Sequence, residues 1–328
     1  MREQALATLL NDSLDQSVKG RMQKCRAQSI KKHGRNLRLF ITSSFFPSVS
    51  LTGSRCELNC KHCEGKLLSR LIPADSPEKL EEVARRIARG GAIGMLVTGG
   101  CDVNGKVPTA TVAESIRRIK QETDLITIAH TGFISPDEAC ALAAAGLDGI
   151  AFDVAGDAGT IRRVYGINAT EDDYLQSLKA ISDAGIDIFP HVCVGLDFGR
   201  LRGELRALEL ISEIDPTTVV ITGLMPLAGT PMSSLKPDPY DFARVFCRAT
   251  ELFPEIPITL GCAHSSGRDR ELIEMIALEC GVVNIALPTP GLVRYAEAEG
   301  YGTEYFGTCC GLLPRDCTRI DEVMKLSR

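Results

Sequence analysis

A recurrence limits what this chain can fold into. Eight short apolar runs, each closing on glycine or a polar residue, occur at 47–53, 94–100, 125–132, 149–156, 187–195, 218–225, 257–263 and 282–290. Runs this short and this continuously apolar suit strands buried on both faces. Amphipathic segments separate them. Pro77–Ala88 carries Glu78, Glu81 and Glu82 in its first half, and Leu175, Leu178, Ile181 and Ala184 form one stripe of Glu171–Ala184, so both predict helices. Strand–helix units joined by connections long enough for right-handed crossovers predict an α/β fold, a parallel (β/α)8 TIM-type barrel. An open doubly wound sheet lacks support, because no G-x-G-x-x-G follows the first run. The barrel is expected over residues 47–296, with an N-terminal helical extension over 1–46. A Gly-rich, Cys-containing tail is expected over 297–328.

Composition narrows the function classes. A net charge of −5 and a pI near 5.7 give no electrostatic case for nucleic acid or an anionic membrane. No apolar run approaches the ~18 residues of a spanning helix, and the first 25 residues are charged, without a signal-peptide core. A cytoplasmic protein is the expectation. Thirteen cysteines, an odd number, argue against a disulfide framework and for thiols that bind metal. Cys25, Cys140, Cys193, Cys247 and Cys280 stand singly and read as small buried hydrophobes.

In a barrel of this kind the chemistry sits at the carboxyl ends of the strands. Cys56, Cys60 and Cys63 follow the first run, Cys101 follows the second, and His130 lies in the third. Asp153, Cys193 and Cys262 fall within or at the ends of the fourth, fifth and seventh. The segment Cys56-Glu-Leu-Asn-Cys60-Lys-His-Cys63 is C-x3-C-x2-C, a spacing that lets one short loop wrap three thiolates around a single centre. Soft thiolates select zinc or an iron–sulfur cluster. A zinc site needs a fourth ligand, and His62 is wedged between two of the cysteines. A [4Fe–4S] cube held by three cysteines instead keeps one iron open for a small ligand.

C-x3-C-x2-C after the first strand of an α/β barrel resembles the signature of the radical S-adenosylmethionine (SAM) superfamily, with His62 in the place of the usual aromatic residue. Thr98-Gly99-Gly100 looks like the segment that receives the methionyl amino group of SAM, although Cys101 replaces the acid that usually follows. Val164-Tyr165-Gly166-Ile167, Tyr174, Asp183-Ala184-Gly185-Ile186 and Gly229-Thr230-Pro231 are similar to the biotin synthase-like branch. Val194-Gly195-Leu196 resembles that branch's fifth-strand SAM contact, and Asp153 occupies the place of an acid near the SAM ribose. The resemblance implies a [4Fe–4S] cluster on Cys56, Cys60 and Cys63, with SAM as cosubstrate.

Biotin synthase itself is not the expectation. Its second cluster uses three barrel cysteines and an arginine, where this chain has Leu96 and Phe189 at two of the positions and no arginine in the seventh run. Thr98–Asp102, Leu260-Gly261-Cys262 and Cys309-Cys310 look like the archaeal-type, two-component lipoyl synthases. That resemblance implies sulfur insertion into a protein-bound octanoyl chain. It also implies a second radical SAM component, a lipoyl-carrier protein as substrate and a low-potential electron donor such as ferredoxin. An auxiliary cluster over the barrel mouth is expected on Cys101, Cys262, Cys309 and Cys310, with Cys317 in reserve. The alternative is a maturase acting on a free small molecule in metal-cofactor assembly. His130 and His264 fall near the expected mouth. Like His191, each also fits an interior hydrogen-bonded histidine.

Overall fold

The computed structural model describes residues 15–312. It opens with helix α1 (Gln16–His33), whose Ser17 N–H is capped by the Asp15 carboxylate and which ends at Gly34. Val18, Met22, Cys25 and Ser29, spaced by three and four, form its buried face. The strands follow as β1 (Asn36–Phe40), β2 (Ser48–Ser50), β3 (Ile72–Pro73), β4 (Gly94–Thr98), β5 (Ile126–His130) and β6 (Gly149–Asp153). Then come β7 (Asp187–Val194), β8 (Val219–Gly223), β9 (Ile258–Leu260), β10 (Asn284–Ala286) and β11 (Gly302–Phe306). The helices between them are α2 (Pro77–Arg89), α3 (Ala113–Glu122), α4 (Pro136–Ala144), α5 (Glu171–Asp183) and α6 (Glu204–Ile211). α7 (Pro239–Leu252), α8 (Arg268–Glu279) and α9 (Pro290–Ala298) follow, and a single short turn of helix lies at Ala158–Thr160.

All eight apolar runs contain strands, and every strand pairing is parallel. The α/β class is as expected, but the sheet is a partial barrel. Its order is β11-β1-β10-β9-β8-β7-β6-β5-β4-β2-β3, so among the described residues the edge strands β3 and β11 do not pair with one another. Two boundaries also move. Residues 36–40 belong to the sheet rather than to a helical extension, because Leu37, Leu39 and Phe40 are fully buried and β1 inserts between β10 and β11. The tail is not simply a loop either: Gly302–Phe306 runs parallel to Asn36–Phe40 with Phe306 stacked on Phe40.

Helices cover the outer face. Several start where the sequence supplies a cap: Ser76 before Pro77, and reciprocal Ser135–Glu138 and Thr170–Asp173 boxes. α1 packs on α7 and α8, outside the strands. A smaller apolar cluster of Phe40, Phe46, Ile128, Phe189, Val220 and Phe306 includes Cys310 and Leu312 from the chain beyond β11. A Cβ on Gly311 would sit 2.7 Å from the Phe189 ring, so the tail's backbone lies directly on that core. No helix among the described residues is long and apolar enough to cross a membrane.

Candidate metal centre

The three-cysteine loop leaves β2 and is tied to the end of β4. The Leu51 N–H donates to the Thr98 carbonyl at 2.8 Å, the Gly100 N–H to the Thr52 hydroxyl at 2.7 Å, and the Glu57 N–H to the Cys101 carbonyl at 2.8 Å. A Cβ on Gly100 would come within 2.7 Å of Cys56 Cβ and would overlap the Arg55 carbonyl oxygen. The glycine is therefore what lets the loop lie flat on the strand end. Farther along, the Glu64 N–H and Cys63 N–H both reach the Cys60 carbonyl, and Lys66 Nζ ties the loop to Gly229 beyond β8 at 2.9 Å.

These bonds gather donors. Sγ of Cys60, Sγ of Cys63 and a ring nitrogen of His62 lie within 4.8 Å of one another, with Cys60 buried and the other two half-buried. The Cys60 thiol donates to Cys63, and with help from His62 this pulls the Cys63 thiol down to about 4 against the opposing effect of burial. Cys60 moves up correspondingly. This hydrogen bond favours the thiolate form of Cys63, the form that ligates metal. His62 meets Tyr165 edge-on at 5.7 Å, and its buried Nδ1 has no hydrogen-bond partner. Cys56 is half-buried beside Cys101, which burial and then the Cys56 charge push up to about 12. The soft donors and the close approach at Gly100 fit an iron–sulfur cluster on Cys56, Cys60 and Cys63.

A cavity of about 350 Å³ opens over this loop. All three cysteines, Thr98, Gly99, Gly100, Cys101, His130 and Asp153 line it. Its remaining wall includes Leu67, Leu68, Leu71, Phe152, Tyr165 and Tyr174. A groove of about 640 Å³ adjoins it, sharing Cys56, Gly100, Cys101, Val107 and Phe133 and continuing past Lys106 and Glu138.

An α/β partial barrel with a three-cysteine loop over the ends of its strands defines the class, and comparison with known proteins agrees. The family described as the Radical SAM superfamily matches residues 50–200. This match supports radical SAM chemistry, and the family and the biotin synthase relatives imply a [4Fe–4S] cluster and SAM as cofactors. Relatives of the chain include biotin synthases: that of Neorickettsia sennetsu is 26% identical over 234 residues, covering 67% of this chain and 69% of the relative. That of Burkholderia lata is 28% identical over 239 residues, covering 68% and 65%. The chain thus spans about two thirds of the curated relatives it matches. The fold is shared with methylornithine synthase (TM-score 0.63, 15% identity, 92% and 93% covered). It is also shared with the FeFe-hydrogenase maturase HydG from Carboxydothermus hydrogenoformans (TM-score 0.66, 19% identity, 92% and 75% covered).

The other sequence-derived residues divide into two groups. Thr98, Gly99, Gly100 and Asp153 share the cavity with the cysteines, whereas Val194, Gly195 and Leu196 do not line it. The Gly195 N–H is taken by the buried Glu204 carboxylate at 2.8 Å, and Leu196 faces a small recess with Val154 and Cys193. The four expected auxiliary ligands are likewise split. Cys101 neighbours Cys56, Asp153 and Cys63, while Cys262, Cys309 and Cys310 neighbour one another beyond β9 and β11. Cys262 is exposed and Cys310 is buried. Cys317 lies outside the described residues. His264 does not reach a mouth position: it is fully buried, with Nδ1 2.6 Å from the Gly261 carbonyl and Nε2 3.2 Å from Glu274.

Two features were missed in the sequence. One is the aliphatic rim at Leu67, Leu68 and Leu71, which lies in a stretch that carries no strand or motif signal. The other is a cluster of His130, Asp153 and His191, whose side chains meet although they are far apart in the chain. Burial lowers the His191 pKa to about 4, so its imidazole is uncharged at neutral pH.

Proposed function

We propose that this radical SAM enzyme inserts sulfur into an unactivated C–H bond of an octanoyl chain attached to a carrier protein, as one component of a lipoyl synthase. The observation that carries the reading is the character of the cavity over the cysteines. Apart from His130 and Asp153, much of its wall is hydrocarbon and aromatic: Leu67, Leu68, Leu71, Leu96, Phe152 and Ile167. Leu67 is 44% exposed and stands where an acyl chain would enter. An aliphatic chain gains roughly 0.8 kcal/mol for each methylene buried against such a wall.

When bound and reduced, the cluster and SAM supply an adenosyl radical that takes hydrogen from an aliphatic carbon, chemistry no side-chain acid or base performs. The chain's own residues hold, orient and exclude. Cys56, Cys60 and Cys63 hold the cluster, and Thr98-Gly99-Gly100 presents strand-end backbone beside it. Tyr165 and Tyr174 close the inner wall with their phenols kept protonated by burial. The leucine rim limits water. For the sulfur donor we assign the auxiliary cluster to Cys262, Cys309 and Cys310, with Cys101 left to the first site. The similarity of the chain to biotin synthases supports sulfur insertion. A second radical SAM component and a ferredoxin-type donor complete the reaction.

An anaerobic assay with reductant, SAM and an octanoylated carrier peptide, with and without the companion component, tests this. Thiolated peptide by mass spectrometry is the expected result. Release of 5′-deoxyadenosine with no thiolated peptide under any pairing would move the reading to the maturase alternative.

A further inference from the structure

Three adjacent strands place a second set of donors at the barrel mouth. Asp153 ends β6 and is in register with His191 of β7, and His130 ends β5 in register with Ala151, two residues before Asp153. Period-two alternation therefore puts all three side chains on one face of the sheet. One donor atom from each lies within 4.8 Å of the other two. His130 Nε2 stands 3.5 Å from Asp153 Oδ2, and the two imidazole rings are 5.9 Å apart.

Neither an ordinary ion pair nor packing accounts for the trio. The His130–Asp153 separation is too long for a good hydrogen bond, and Asp153 is exposed at the mouth, where an isolated pair gains little. His191 is ordered as metal-bound histidines are: its Nδ1 faces the Phe189 carbonyl at 2.8 Å, so Nδ1 carries the proton and Nε2 keeps its lone pair. Donors around one tetrahedral ion stand ~3.3 Å apart, given bonds near 2 Å. The 3.5 Å pair already meets that spacing, and a side-chain rotation would bring in the third donor.

We propose that His130, Asp153 and His191 form a mononuclear site for a divalent first-row transition cation, separate from the thiolate loop. Two imidazoles and one carboxylate are borderline donors that suit zinc or ferrous iron and leave coordination positions open. His130 and Asp153 both line the cavity, so the open positions face whatever occupies it. An oxygen or nitrogen group of the bound substrate is the class of ligand such a position takes. A carboxylate has two oxygens, so ligation through one leaves the other for a ribose hydroxyl.

Zinc loading of the full-length protein tests the site. The protein first has its iron–sulfur clusters assembled anaerobically, so that the clusters occupy the cysteines. It is then equilibrated with zinc, desalted and analysed for metal and for zinc-edge X-ray absorption. Wild-type protein is expected to retain one zinc more than His191→Ala, His130→Gln and Asp153→Asn, all at matched iron content and circular dichroism. Its absorption fine structure should fit nitrogen and oxygen neighbours only. Equal zinc in wild type and in the correctly folded variants overturns the proposal, as does sulfur as the main zinc neighbour. Neither readout depends on octanoyl thiolation, so failure here and failure of the sulfur-insertion reading are distinguishable.

Discussion

The two halves of the barrel mouth are built differently. The half from β2 to β6 is open: its cysteines, glycines, His130 and Asp153 line a cavity of about 350 Å³, and its loop is held by backbone hydrogen bonds to the end of β4. The half from β8 to β11 is filled. Cys310 and Leu312 sit in an apolar cluster, and behind Cys262 the buried Glu274 carboxylate accepts from the Thr289 N–H and hydroxyl and from Arg270, with His264 at 3.2 Å. The first half can admit ligands without rearranging. The second has its polar groups already committed to one another, so a ligand there must be built into the fold.

If that contrast is right, backbone shape dominates in the open half. Gly100→Val should give the largest effect. Its side chain would collide with the Arg55 carbonyl and Cys56, displacing the loop by an ångström or more, and misplacement on that scale costs about 100-fold. 5′-Deoxyadenosine release should fall at least that far, and iron at the first site should drop, while circular dichroism stays that of the wild type. Unchanged release would show that the loop is not shaped by the end of β4.

In the filled half the expected loss is stability. Glu274→Ala strips the partner from Arg270, Thr289 and His264 at a site with no solvent access, and breaking such a network costs about 3–5 kcal/mol. Urea denaturation should record that loss, with iron per folded chain at the cysteine loop unchanged. A loss of loop iron in Glu274→Ala would mean that the two halves are coupled.

The contrast also explains what could be read from the sequence. The eight strands were legible because each is buried on both faces and so appears as an apolar run. β1 was hidden because Arg38 interrupts Leu37 and Leu39 within a basic stretch, and β11 because Gly302, Thr303 and Glu304 lie toward an exposed edge. β3 has too few residues to carry a pattern. The cysteine loop was legible because its ligands are local, three within eight residues. The His130–Asp153–His191 set was not, since it exists only through the register of three strands. The separation of Cys101 from Cys262, Cys309 and Cys310 has the same origin: strand ends on one rim need not be neighbours.

That separation gives a sharper test. If the filled half carries its own cluster, Cys262→Ser or Cys309→Ser should lower iron from about eight to about four per chain. Release of 5′-deoxyadenosine should persist. Cys101→Ser should leave the second site's iron in place. A Cys101→Ser variant that alone lost four iron would return Cys101 to the auxiliary set and erase the division between the halves.

The smallest effect separates the halves by pH. On β7, at the border of the open half, His191 has its pKa lowered from 6.5 to about 4 by burial. The unfolded chain therefore binds a proton that the folded chain refuses as pH falls below about 6.5, so folded stability decreases through that window and levels off near pH 4. The slope from this one group is at most about 1.4 kcal/mol per pH unit. Denaturation of metal-stripped protein at pH 7.5, 6.5 and 5.5 should show the decline, and His191→Asn should flatten it. The neighbouring Asp153 carboxylate opposes burial at His191, so Asp153→Asn should carry the same decline to lower pH, seen as a steeper slope in a further measurement at pH 4.5. Opposite changes from two side chains in register on adjacent strands would show that their charges act on one another across the ladder. Identical slopes in all three proteins would mean that His191 is hydrated in solution and that the open half is wetter than its aromatic walls suggest.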